Sequence, residues 1–126
     1  MSADRRRLLQ VLKGELEYLE ASGYRERAKT SWHPQFIFED SQTCLYSGVA
    51  LQRRPCSACL LIELVPGNRK REKAPCRHIP LNEQGETLDS LYRTATEEEV
   101  EAAVAKWLKG EIAALERGKQ PLSRIW

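Results

Sequence analysis

Apolar residues form a periodic stripe near each end of the chain, with shorter apolar blocks between. Leu9, Leu12, Leu16 and Leu19 recur at three-four-three spacing with Leu8 beside them, which places one apolar stripe on a charged cylinder. The pattern predicts a helix over residues 4–22, with Asp4 as its N-cap and Gly23 just past its end. Gly14 lies inside it at a cost of about 1 kcal/mol relative to alanine, which marks either neutral tolerance or the close approach of another backbone. Val100, Val104, Trp107, Leu108, Ile112 and Leu115 form the second stripe and predict a helix over residues 97–117. Thr96 with Glu99 three residues on has capping-box spacing. Glu97, Glu98 and Glu99 then lie at the positive end of the helix dipole, so the acidic run needs no ligand to explain it. Gly110 interrupts this helix much as Gly14 interrupts the first. The two helices are expected to pack as an antiparallel pair with both glycines near the contact, and residues 118–126 to form a loose basic tail.

The interior reads differently. Phe36-Ile37-Phe38-Glu39 is a short strand candidate that turns through residues 40–43 into Cys44. Leu60 to Val65 is an apolar, partly β-branched run stopped by Pro66-Gly67. It fits a buried strand, with a helical turn starting inside Cys56–Cys59 as the other reading. Ile79-Pro80-Leu81 and Thr87-Leu88 suit a hairpin around Asn82 to Gly85, where glycine takes positive φ. The expected fold is α+β in a single domain of 126 residues: two terminal helices packed together, with a short, β-rich, cysteine-clipped metal-binding segment over residues 36–92.

That segment holds all four cysteines in the spacing C-x11-C-x2-C-x16-C: Cys44, Cys56, Cys59 and Cys76, the last followed by Arg77-His78. A C-x2-C pair lets two sulfurs converge on one ion from a tight turn, and zinc then takes two further thiolate or imidazole ligands. Cys44 and Cys76 supply them, with His78 in reserve and His33, beside Pro34, a weaker substitute. Four protein ligands close the tetrahedron to water, which makes the expected site structural. Such a site contributes about 10–16 kcal/mol of apparent folding energy, so replacing Cys56 by serine is expected to cost folding. Cys56 and Cys59 also fit a redox dithiol, although no thioredoxin-like βαβ setting surrounds them.

The sequence Pro55-Cys56-Ser57-Ala58-Cys59 is similar to the zinc-binding half of the nucleobase deaminases. Those also need a carboxylate two residues after an upstream ligand, and here Gln35 and Tyr46 stand in those places. A central C-x2-C flanked by two single cysteines also resembles the WhiB-like iron–sulfur regulators. That resemblance rests on Cys44, Cys56, Cys59 and Cys76 alone and implies a labile cluster that responds to redox change. The sixteen-residue gap exceeds that family's spacing, and its glycine-tryptophan-rich turn is absent.

Net charge is +2, too small for strong indiscriminate nucleic-acid binding, but it is unevenly spread. Between Cys44 and His78 seven basic residues face only Glu63 and Glu72. Arg69, Lys70, Arg71 and Lys73 form a basic loop able to neutralise phosphates, with no aromatic residue among them for base stacking. No apolar run is long enough to span a bilayer, and the basic start of the chain leads into a charged amphipathic segment rather than a signal-like apolar block. A cytoplasmic protein without membrane partners is the expectation. In a reducing compartment, clustered cysteines point to metal or thiol chemistry rather than disulfides. The functional expectation is a small zinc protein acting as a non-enzymatic binding or adaptor module for a protein partner. The alternatives are an iron–sulfur regulator and a nucleic-acid-binding module using the basic loop.

Overall fold

The computed structural model describes residues 3–21, 38, 60–72 and 74–125. Helix α1 (Ala3–Glu20) is followed by three short 3-10 turns, Leu60–Leu64, Gly67–Arg69 and Pro75–His78. Helix α2 (Leu88–Thr94), helix α3 (Glu97–Glu116) and the short helix α4 (Leu122–Ile125) complete the described chain. Among the described residues there is no strand, so the expected α+β class with a β-rich centre is replaced by a helical architecture.

The apolar run after Cys59 shows why. Leu61, Leu64 and Val65 are buried while Glu63 is exposed, a three-four spacing rather than strand alternation. The Val65 amide donates to the Ile62 carbonyl at 3.2 Å, closing the turn locally. The hairpin expected from Ile79 to Leu88 keeps only its turn. The Leu81 amide donates to the Glu86 carbonyl at 2.7 Å, and Gly85 takes φ 77°. Asn82 Oδ1 accepts from the Gln84 and Glu86 amides at 3.1 and 3.2 Å, which fixes the turn through the side chain. Thr87 then caps a helix instead of starting a strand. Its hydroxyl accepts from the Ser90 amide at 3.2 Å, and its own amide donates to Ser90 Oγ at 3.0 Å. Of the first strand candidate only Phe38 is described. It has φ 69°, outside any strand conformation, and is buried edge-on against Trp107 with ring centroids 5.7 Å apart.

Helices α1 and α3 pack on each other over one continuous apolar cluster. Arg5 donates to the Lys119 carbonyl at 3.1 Å and Lys13 pairs with Glu116 at 3.2 Å, so the stretch of α1 from Arg5 to Lys13 lies by the C-terminal end of α3. The stripe expected on α3 is buried throughout, with Glu111 and Ala114 added to it. On α1 the buried line runs through Leu8, Leu12, Glu15 and Leu19, while Leu9 and Leu16 are only partly covered. The helix is thus rotated from the expected centre and carries a carboxyl side chain in its buried face. Among the described residues neither glycine meets another helix backbone: a Cβ built on Gly14 has none of their atoms within 4 Å, and one on Gly110 meets Leu122 Cδ1 at 3.2 Å.

The α3 capping box forms as its spacing requires. The Thr96 amide donates to Glu99 Oε1 at 2.9 Å, and the Glu99 amide donates to Thr96 Oγ1 at 3.2 Å. At the other end Gly118 takes φ 73° and donates to the Leu115 carbonyl at 3.0 Å, while the Lys119 amide donates to the Ala114 carbonyl at 2.9 Å. These two bonds make a Schellman closure that turns the chain back along α3. The segment expected to be loose therefore returns to the core as α4. The other helix-end residue singled out, Gly23, lies outside the described residues. No helix among the described residues is long and apolar enough to cross a membrane.

Candidate metal centre

Of the four cysteines, only Cys76 lies among the described residues; Cys44, Cys56 and Cys59 lie outside them, as does His33. Cys76 sits in the 3-10 turn Pro75–His78, half-buried against the apolar cluster. Pro75 opens the turn with the fixed φ that suits a first helical position, and it is buried. Ile79, fully buried, anchors the turn's exit. On one side the turn packs on α2, where the Arg77 guanidinium lies 5.9 Å from the centre of the Tyr92 ring, within cation–π reach. On the other side it packs against the turn Leu60–Leu64. Leu60 is the chain neighbour of Cys59, so the end of the C-x2-C pair and Cys76 are attached to two turns in mutual contact.

His78 is half-buried in the same turn. At three residues per turn, side chains two positions apart diverge by about 120°, so Cys76 and His78 suit different neighbours better than a single ion. Among the described residues no group of three or more His, Cys, Asp or Glu side chains converges as a metal site. The chemistry available at this point is that of one thiol beside an aliphatic core, with a cation–π pair on its flank.

The basic loop divides. Arg69 is exposed and pairs with Glu72 at 3.3 Å, three residues on. Lys70 and Arg71 are exposed, and Lys73 lies outside the described residues. Arg77, a further cation of the same stretch, covers Tyr92. Two of the positive charges that a phosphate-binding surface would use thus have protein partners.

A second polar centre was not visible in the sequence pattern. Glu111 of α3 is fully buried, and its Oε1 accepts from the Ser123 amide at 3.0 Å and lies 3.4 Å from Ser123 Oγ. Ser123 Oγ also accepts from the Trp107 indole N–H at 2.8 Å and lies 3.1 Å from the Pro80 carbonyl. Glu111 Oε2 has no hydrogen-bond partner among the described residues. Burial raises the Glu111 carboxyl above its ordinary value of 4.5, against the lowering pull of the Ser123 amide and hydroxyl and the Leu122 backbone. Beside this centre a groove of about 560 Å³ opens between the loop at Leu81–Gln84, the Ala103–Gly110 face of α3 and Leu122. The signal for the centre was Pro121 ahead of Leu122, a proline at the threshold of a further helical turn. The buried partners are 12 and 43 residues distant in sequence, beyond any local pattern.

The chain matches no protein-family model, no curated protein and no solved structure.

Proposed function

We propose that the chain is a small zinc protein working as a non-enzymatic binding or adaptor module, with Cys44, Cys56, Cys59 and Cys76 as ligands and His78 in reserve. The observation that carries this reading is the contact between the turn that starts right after Cys59 and the turn that carries Cys76. Cys59 precedes the first of these turns by one peptide bond, a Cα step of about 3.8 Å, and this short tether supports a shared ion with Cys76. A closed four-ligand site leaves no open position for substrate water, which favours a scaffolding role and a protein partner over catalysis.

Metal analysis with a visible absorption spectrum on protein purified without air tests this. One zinc per chain and a colourless solution are expected, with zinc lost from the Cys76→Ser and Cys56→Ser variants. Iron with sulfide and a brown solution would replace the reading by the iron–sulfur regulator on the same residues. Absence of both metals would return the cysteines to thiol chemistry.

A further inference from the structure

We propose that residues 121–125 form a pH-gated strap, held against Trp107 and the Pro80 carbonyl while Glu111 carries a proton and released when that proton leaves. A count of protons at the buried centre is the basis. Three donors meet there besides the proton that neutral Glu111 itself carries: the Trp107 indole N–H, the Ser123 amide and the Ser123 hydroxyl. The indole and the amide have one acceptor each, Ser123 Oγ and Glu111 Oε1. The hydroxyl has a single proton and two candidate acceptors, the Pro80 carbonyl at 3.1 Å and Glu111 Oε1 at 3.4 Å.

With Glu111 neutral, the hydroxyl proton goes to the closer Pro80 carbonyl, and the strap is tied both to α3 and to the loop after the Cys76 turn. With Glu111 ionised, the carboxylate attracts that proton, because hydrogen bonds to charged acceptors are the stronger ones. The Pro80 carbonyl then loses this donor, and a negative charge stands in a fully buried position with no partner for Oε2 among the described residues. Among the described residues, the charged groups on the elements around α3 are paired, exposed or, at Glu15, buried. On α1, Lys13 pairs with Glu116, Arg5 reaches the Lys119 carbonyl and Glu15 is itself buried. On α2, Asp89 and Arg93 pair with each other. In the 81–86 loop Glu83 and Glu86 are exposed, and on the strap Arg124 is exposed. The ionised form is relieved by moving the strap so that water reaches the carboxylate. The same movement removes Leu122 from the wall of the groove and uncovers Trp107, 2% exposed when the strap is down.

The sign follows from linkage. A carboxyl whose folded value is raised holds its proton more tightly in the closed form, so closure is favoured at low pH and weakens as pH rises past 4.5 until the folded value is reached. The test is amide and indole hydrogen exchange followed by NMR on the full chain as purified, at about pH 5 and about pH 8 and corrected for intrinsic rates. Protection at the Ser123 amide and the Trp107 indole is expected to fall about tenfold for each unit by which closure raises the carboxyl. The Glu111→Gln variant keeps an acceptor for the Ser123 amide and never ionises, so its protection is expected to be the same at both pH values. An equal fall in the variant, or no fall in the wild type, overturns the proposal. Should the variant not fold, the carboxyl carbon of Glu111 in the wild type is titrated instead: a midpoint above 4.5 supports the strap, and one at or below 4.5 overturns it.

Discussion

Gly14 and Gly110 occupy matching interior places in the two long helices, yet their surroundings separate them. Around Gly14 a methyl group meets none of the described residues within 4 Å, so alanine there is expected to gain helix propensity without a clash. Gly14→Ala is expected to raise unfolding stability by about 1 kcal/mol in a urea titration. At Gly110 the same methyl meets Leu122 Cδ1 at 3.2 Å, the far end of a side chain that has to shift by a few tenths of an ångström. Gly110→Ala is expected to gain less than Gly14→Ala, because the propensity gain is offset at the strap. Equal gains at both sites would show that Leu122 moves freely. Single residues also mark where polarity and burial part company. Glu15 and Glu111 are carboxyl side chains on buried helix faces, and a stripe drawn through apolar letters alone passes each of them by.

Helices show what local chemistry can specify. The α3 stripe and its cap were legible because a 3.6-residue period sustained over twenty residues has few rival explanations, and because Thr96 and Glu99 satisfy each other within one turn. Thr96→Ala is expected to lower stability by about 1 kcal/mol in thermal or urea unfolding. Glu99 is held below its ordinary 4.5 by the Thr96 backbone and side-chain hydrogen bonds, so its contribution is present above that pH and lost as pH falls through the folded value. A Glu99→Gln variant should lack that acid limb. The shorter elements were misread for physical reasons that differ. In Leu60–Val65 nearly every residue is apolar, so neither a two-residue nor a three-four spacing stands out, and only burial distinguishes them. At Thr87 a capping box was hidden by serine in the place usually taken by glutamate or glutamine, and by a preceding turn that suits hairpins equally well. The α4 strap depends on contacts with Pro80, Trp107 and Glu111 that only the folded chain brings together.

Across the whole molecule, the apolar cluster joins α1, α2, α3 and the two turns at Leu60–Leu64 and Pro75–His78. The long helices bury their stripes against each other with no cysteine in either, so a zinc ion bound as proposed would matter less to them than to the middle of the chain. Chelation is therefore expected to abolish exchange protection over residues 60–79 while most of the far-ultraviolet helical signal remains; complete loss of that signal would show that the metal holds the helices as well. The cysteine spacing is a property of the sequence and could be read there as a candidate ligand set, while the contact between the turns Leu60–Leu64 and Pro75–His78 depends on elements the periodicity did not reveal. Those turns are bridged by a run, Gly67 to Glu72, whose residues are all exposed. Doubling the length of such a bridge adds only about 0.6 kcal/mol of closure entropy. Evolution can therefore lengthen or shorten the interval before Cys76 at little thermodynamic penalty, whereas a C-x2-C pair that is to share one ion keeps its two-residue spacing. Kinship to this chain is best sought with a pattern that holds the inner pair rigid, lets the downstream gap vary, and asks for a capped amphipathic helix after it.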